Sequence, residues 1–312
     1  MNHGHRTDKE ASEMNAASWM NGPPRKILLA TDLGPRSDRA LDRAVSLAKQ
    51  WQADLIVLHV LENPTPDFSD SATPPPSWKR STDPISIVSR QLSADLSGIA
   101  EKARILIEDG DPAEIIVRVA DTESCDLIVT GVARDELLGR FFLGSTVDQL
   151  LRRSQVPLLV VKERARNPYH HIVVATDFSE SSRHAFEAAA HIFPQKQLTL
   201  FHAYDPPMAS RMTDPDTYRR QYRTVVAQNC EAFLQKIQKP GQGWHSPRVL
   251  LEYGTPSLLL RDYVHAQEVD LLVLGTQGRG AVLEIVIGSV AKEIMERLPC
   301  DVLVVREPRL AA

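Results

Sequence analysis

One spacing runs through the chain. Residues 27–32 read ILLATD and residues 172–177 read IVVATD, 145 positions apart. LIVLHV (55–60) returns as LTLFHA (198–203), and RILIEDGDP (104–112) returns as RVLLEYGTP (248–256). DLIVTG (126–131) returns as DLLVLG (270–275), and VPLLVVK (156–162) as CDVLVVR (300–306). Five landmarks in the same order at nearly the same offset are a tandem duplication, which dictates that whatever fold one half adopts is adopted twice. A length of 312 residues agrees with two domains at roughly 100–200 residues each.

Each half reads as alternating strands and helices. ILLA is a short apolar run of the kind that forms a strand buried on both faces of a parallel sheet. Ser37 is read as the cap of a helix with its apolar stripe at Leu41, Ala44, Val45 and Ala48. Leu55–Val60 is a second strand, and Ile85, Val88, Leu92, Leu96 and Ile99 mark a second helix. Ile105–Glu108 follows as a strand. Asp111-Pro112-Ala113-Glu114 then has the form of an N-cap, a Pro at N1 and a Glu at N3, with Thr255-Pro256 as its counterpart. Strands at Leu127–Thr130 and Leu158–Val161 flank a helix opening at Gly144-Ser145. Right-handed crossovers make this a doubly wound parallel α/β sheet in each half. VPLLVVK and CDVLVVR are too apolar to face water as sheet edges, so they are expected to pair and pack the halves as an intramolecular pseudo-dimer.

Residues 1–25 are expected to be a disordered N-terminal tail, 26–165 the first domain and 166–312 the second. Residues 62–84 are Pro-rich and polar, a connection long enough to act as a lid but read here as a solvated loop. RMTDPDTYRRQYR (211–223) is its counterpart, with arginines read as a solvated helix face.

Composition removes several classes of function. Lys+Arg number 36 against Asp+Glu 40, for a net charge of -4, which disfavours a general nucleic-acid binder and a polybasic membrane-surface protein. No apolar run approaches the roughly 18 residues needed to span a bilayer, and the N-terminal segment lacks the apolar stretch of a secretory signal. Cys125, Cys230 and Cys300 are far apart and form no CxxC, which suits buried thiols in a reduced compartment. A cytoplasmic protein with neither nucleic-acid nor membrane partners is expected. No Cys-His or His-Glu spacing describes a metal site.

The stretch GTQGRGAVLEIVIGSV (275–290) carries the chemistry. Gly275 ends a buried strand where the chain must leave the sheet without a Cβ in the way. Gly278 lets backbone approach a ligand, and Gly288-Ser289 opens the helix continuing AKEIMERL. The free N–H groups of a helix N-terminus make a phosphate site. Ligands of such sheets bind beyond the carboxyl ends of the strands, where strand order reverses. Asp177, at another strand end, would face the same crevice and bond a ribose hydroxyl or a magnesium ion on the phosphates. The stretch has no Walker lysine and no G-x-G-x-x-G.

On these residues the chain resembles a tandem universal stress protein over roughly residues 26–307. Nucleotide-binding members of that family carry G-x2-G-x9-G-[S/T], which residues 275–289 match, and ATDFSE (175–180) resembles the family's first-strand motif. The resemblance implies a five-stranded sheet of order 3-2-1-4-5 in each half. It also implies an adenine nucleotide (ATP, or AMP or ADP) in the second half. Thr176 and Asp177 would lie at the nucleotide, Leu198 would offer backbone groups to the adenine, and Gly288, Ser289 and Val290 would hold the phosphates. The first half departs from the pattern. Asp32, Gly131, Gly144 and Ser145 are in place, but Arg134 stands where the second glycine belongs, followed by Asp135 and Glu136. That half is read as degenerate or empty, the alternative being that Arg134 clamps a phosphate as a charged donor.

His59 and His202 recur at one strand position and are read as hydrogen-bonded core residues. The expected function is a stress-response module regulated by nucleotide, with protein partners unspecified and a homodimer conceivable. The alternatives are a nucleotide-free scaffold or a slow ATP hydrolase. No residue is an evident general base, so no catalytic residue is assigned.

Overall fold

The apolar runs become the central strands of one sheet. The computed structural model describes residues 22–34, 37–62, 84–99, 102–135, 140–207, 213–241, 244–276 and 288–307. In the first half these form β1 (Lys26–Thr31), α1 (Ser37–Trp51), β2 (Asp54–Leu61), α2 (Pro84–Leu96), β3 (Arg104–Asp109), α3 (Pro112–Thr122) and β4 (Leu127–Gly131). A short hairpin, β5 (Ala133–Asp135) and β6 (Arg140–Phe142), precedes α4 (Gly144–Arg153) and β7 (Leu158–Val161). The second half runs β8 (Ile172–Ala175), α5 (Glu180–Ile192), β9 (Thr199–Tyr204), α6 (Pro215–Lys236) and β10 (Arg248–Tyr253). It closes with α7 (Pro256–Ala266), β11 (Leu271–Gly275), α8 (Ser289–Arg297) and β12 (Asp301–Val305).

The sheet order is β10-β9-β8-β11-β12-β7-β4-β1-β2-β3. Each half is therefore a parallel five-stranded sheet, as expected from the strand–helix alternation, in the order 3-2-1-4-5 that the resemblance implies. The halves join where β12 pairs antiparallel with β7, Leu303 opposite Leu159, Val302 opposite Val160 and Val304 opposite Leu158. Leu159 and Leu303 are equivalents in the repeat, so the pairing is symmetric about them, an isologous joint within one chain.

Alternation along the strands feeds two cores. Ile27 and Leu29 point into one, with Ala44 and Leu47 of α1, Leu92 of α2, Phe186 of α5 and Phe233 of α6. Leu28 points into the other, with Ile116 of α3, Leu150 of α4, Leu260 of α7 and Met295 of α8. Both cores run across the joint. Trp51 and Tyr169 meet Phe193 there, with ring centroids 5.8 and 6.0 Å apart.

The joint also buries charge. Asp301 is wholly buried. Its Oδ1 accepts from the backbone N–H groups of Lys162 (2.8 Å) and Glu163 (3.0 Å). Its Oδ2 accepts from the Tyr169 hydroxyl (2.6 Å) and Arg43 Nε (3.2 Å). Burial and the Asp301 charge together hold the Tyr169 hydroxyl well above its ordinary pKa.

Several local expectations are corrected. Ser37 opens α1 but does not cap it: its hydroxyl donates to Asp32 Oδ1 at 2.5 Å. Arg43, a charged residue outside the expected stripe, is buried on α1 because Asp301 waits for it from the other half. Asp111 caps α3, accepting from Glu114 N–H at 2.9 Å, whereas Thr255 makes no side-chain cap on α7. Helix α2 ends at Leu96, and Ile85 and Ile99 are exposed. The Pro-rich residues 63–83 lie outside the described residues.

Candidate functional site

The turn after the first strand of each half is built the same way. In the second half Thr176 Oγ1 accepts from Phe178 N–H (2.9 Å) and Asp177 Oδ1 from Ser179 N–H (3.0 Å). Ser179 then caps α5, its hydroxyl oxygen accepting from Ser182 N–H. In the first half Thr31 Oγ1 accepts from Leu33 N–H (3.1 Å) and Asp32 Oδ1 from Gly34 N–H (2.9 Å). These side-chain turns hold Leu33 and Phe178 at φ 60 and 63, left-handed backbone that a bulky residue adopts only when its surroundings impose it. Asp32 and Asp177 thus already shape the chain. A serine hydroxyl separates the halves: Ser37 donates to Asp32, whereas its equivalent Ser182 lies 2.8 Å from Thr176 Oγ1.

His59 Nδ1 lies 2.8 Å from Thr31 O, and His202 Nδ1 lies 2.7 Å from Thr176 O. A carbonyl only accepts, so Nδ1 carries the proton in both. Each histidine ties the exit of the second strand to that of the first. Phe178 stacks against His202, with ring centroids 4.2 Å apart. The hydrogen bonds are as expected for the repeated histidine, but neither ring is in the core: both are half-buried and line cavities.

The second-half cavity, about 290 Å³, opens beyond the carboxyl ends of β8, β9 and β11. Thr176, Asp177, His202, Ala203, Gly275 and Val290 are among its walls, and Gly288 lies at its rim. Gly275 is dictated by packing: a Cβ there would fall 2.6 Å from Ser181 Oγ and 2.7 Å from Ser181 O. At Gly288 a Cβ would meet nothing within 4 Å among the described residues. The Gly288 N–H donates to Thr276 O at 3.4 Å, closing the base of the segment 277–287. That segment, Gly278 included, and the side chain of Ser289 lie outside the described residues. Helix α8 begins there without a side-chain cap, and Gly288, Val290 and Ala291 at its start line the cavity.

Leu198 is a correction. It precedes β9, is buried in the core, and its carbonyl accepts from Arg248 N–H at 2.9 Å. That is the amino end of the strand, a strand's length from the cavity. In a parallel sheet the ligand end is the carboxyl end, and His202 and Ala203 occupy it. Counting forward along LTLFHA to its last residues would have found them. Two arginines of α6 are engaged within the protein: Arg219 lies 4.6 Å over the Tyr253 ring of β10 and pairs with Asp216, and Arg220 Nη2 donates to Thr217 Oγ1.

The first half has an equivalent cavity of about 560 Å³, with Asp32, His59, Glu62, Thr130, Gly131 and Phe142 in its walls and Gly144 and Ser145 at the α4 end. Arg134 lies in β5, opposite Phe141 of β6; its side chain, with residues 136–139, lies outside the described set. The hairpin is anchored by Phe141, buried beneath the Lys162 ammonium, while Phe142 is exposed.

This duplicated 3-2-1-4-5 sheet is matched by known proteins. The model of the universal stress protein family fits residues 24–162 and again residues 168–306. The chain belongs to the universal stress protein family. A Staphylococcus aureus (strain USA300) relative bearing the family's name is 30% identical over 149 residues, covering 46% of this chain and 88% of its own. Among solved structures, a universal stress protein from Archaeoglobus fulgidus DSM 4304 superimposes with a TM-score of 0.61 at 20% identity, over 91% of this chain and 98% of its own. One from Pseudomonas aeruginosa UCBPP-PA14 does so with a TM-score of 0.61 at 20% identity, over 93% and 95%. These likenesses establish the tandem universal stress protein fold. No helix among the described residues is long and apolar enough to cross a membrane.

Proposed function

We propose that this universal stress protein binds ATP, or a related adenine nucleotide, in its second half and acts as a regulatory module of the stress response. The two working units would be residues 26–165 and 166–312, with the nucleotide site in the second. The observation that carries this reading is the cavity beyond β8 and β11. It sits where strand order reverses, and the uncapped N-terminus of α8 lines it. The G-x2-G-x9-G-S stretch links β11 to α8 in the sequence, and its described ends, Gly275 and Gly288, line the cavity.

The parts divide the ligand between them. The apolar wall formed by Ala203, Leu260 and Leu274 suits a base. The Asp177 carboxylate accepts from ribose hydroxyls or meets magnesium carried in on the phosphates. Amides of Ser289 and Val290 at the start of α8 donate to phosphate oxygens. Among the described lining residues Asp177 and His202 are the ionisable ones, and both are already bonded within the strand-end turns, so the reading is one of binding, with hydrolysis at most slow.

Calorimetry with ATP and magnesium tests it. Wild type should bind about one equivalent, and Ala203→Trp, which fills the half-buried exit of β9, should bind none. Absence of heat from wild type, or equal binding by the variant, overturns the assignment. Nucleotide released on denaturing freshly purified protein, identified by mass spectrometry, would fix its identity.

A further inference from the structure

The antiparallel joint covers the last strand of each half and leaves the sheet with two outer strands, β3 and β10. Among the described residues no further strand pairs with either. An outer strand presents a row of unpaired N–H and C=O groups, a template for another strand unless charge, proline or a covering element blunts it. RILIED (104–109) and RVLLEY (248–253) are both apolar in the middle and free of Lys and Pro, yet the two edges differ. At β3 the charges are answered within the chain, Arg104 by Glu123 at 2.9 Å and Glu108 by Arg118 at 3.1 Å. No large apolar residue of β3 is exposed. At β10 the equivalent side chains, Arg248 and Glu252, have no ion pair or hydrogen bond among the described residues. Val249 is 37% and Tyr253 41% exposed.

The free edge also fits itself. In an antiparallel pair, directly opposed side chains lie on the same face of the sheet, so a two-fold axis relating two copies of one strand passes through a residue. Centred on Leu250, RVLLE sets Arg248 opposite Glu252 of the second copy, Val249 opposite Leu251 and Leu250 opposite Leu250. Symmetry makes each unlike pair twice, and opposite charges directly across such a pair are favourable. The molecule already joins its own halves in this way, β7 and β12 pairing antiparallel about the equivalent residues Leu159 and Leu303. Repeated at β10, the arrangement brings the two copies of α6 side by side, since α6 packs against β10, and α6 carries Val225 exposed at its surface. We propose that β10 is an interface between two copies of this chain, paired antiparallel about Leu250 into one continuous sheet. The same edge serves both copies, so the assembly closes as a dimer and β3 remains its outer strand. The inference is independent of the nucleotide reading.

Sedimentation velocity of the full chain over a range of concentrations tests it. Wild type is expected as a reversible dimer. Arg248→Glu and Glu252→Arg each set like charges across the seam twice, and each should raise the dimer dissociation constant at least about tenfold. The double variant carrying both reversals sets unlike charges across the seam again and should restore the dimer. Arg104→Glu makes the corresponding change at β3 and should leave the dimer intact. All three side chains are exposed, so the melting temperatures should match wild type, and a variant that melts early is replaced by Arg248→Gln or Glu252→Gln, which remove the charge without reversing it. A monomeric wild type overturns the proposal, as does a dimer that survives both single reversals or one that the double reversal fails to restore. Growth beyond the dimer that Arg104→Glu stops would mean that β3 joins β10 head to tail, and overturns it equally.

Discussion

Lys162 and Arg306 exchange caps across the joint. The Lys162 ammonium donates to the carbonyls of Met295 (2.5 Å) and Leu298 (2.9 Å), at the end of α8 in the opposite half. Arg306 Nη1 donates to Arg152 O (2.6 Å) and, more weakly, to Ser154 O (3.4 Å), at the end of α4 in the first. Each half's last strand thus terminates the other half's last helix, satisfying carbonyls that a helix end leaves orphaned. Helix α8 also begins at the second-half cavity, so its far end is fixed by the first half.

Removing either cap should destabilise the whole chain. Lys162→Met and Arg306→Met each delete donors to buried carbonyls, and each is expected to lower unfolding free energy by about 1–3 kcal/mol. Urea denaturation monitored by Trp fluorescence reads this. A single transition moving to lower urea is expected, because both cores cross the joint. A variant in which only one half unfolds early would contradict the shared core.

Lys162 also gives the protein a pH signature. Burial brings its ammonium down from the usual 10.5 to about 8. Between about pH 8 and 10.5 the unfolded chain therefore holds more protons at this position than the folded one, and stability from this group rises with pH. Tyr169, held above 10.0 by burial and Asp301, acts in the opposite sense above pH 10, where the unfolded chain loses its proton first. The difference in unfolding free energy between wild type and Lys162→Met cancels groups the two share. That difference should grow in favour of wild type from pH 7.5 to 9.5. A flat difference would mean that Lys162 keeps its proton throughout.

Asp301 is expected to be the most sensitive single position of the joint. It receives two backbone N–H groups, a phenol and a guanidinium with no exposure to water. Asp301→Ala leaves Arg43 buried without its counter-charge and should cost about 3–5 kcal/mol. Tyr169→Phe removes one donor and should cost about 1–2 kcal/mol. Combined, the two should cost less than their sum, since the phenol's partner is already gone. Additive effects in chemical denaturation would show that the hydroxyl and the carboxylate act independently.

Much of this architecture was legible because buried parallel strands must be contiguous and apolar. ILLA, LIVL, DLIV and LLVV announced themselves twice over, and the apolarity of the last pair announced their union. The charged joint was not legible. Arg43, Lys162 and Asp301 lie at helix and strand positions where charge ordinarily meets water, and only the partner strand, 139 residues away for Lys162 and Asp301, buries them. The β5–β6 hairpin was hidden as well, since Ala133–Asp135 carries no strand signal and is held by Phe141 packing beneath Lys162. At the site, the glycines and the Thr-Asp turns were legible as motifs. Their division of labour was not: packing against Ser181 claims Gly275, and backbone turns claim part of both aspartates.

The cysteines should be silent in the folded protein. Burial pushes the thiols of Cys125 and Cys300 up to about 12 and that of Cys230 to about 11. Since the thiolate is the reactive form, Ellman's reagent at pH 8 should find almost none of the three in native protein and all of them in denaturant. Rapid labelling of one thiol without denaturant would mean that its element opens locally.

The two glycines flanking the 277–287 segment separate fold from ligand. Gly275→Ala drives a Cβ to within 2.7 Å of the Ser181 backbone oxygen, which must push α5 off the sheet. Overpacking of this kind costs about 1–3 kcal/mol, so the melting temperature should fall whether or not nucleotide is present. Among the described residues nothing would meet a Cβ on Gly288, and its φ is an ordinary -53, so Gly288→Val should melt with wild type in the absence of ligand. If phosphates rest against the α8 N-terminus, the new side chain occupies their approach. ATP affinity should then fall at least about tenfold, a change of about 1.4 kcal/mol. Unchanged affinity together with an unchanged melting temperature would place the phosphates away from α8, and with them the role of the glycine-rich segment.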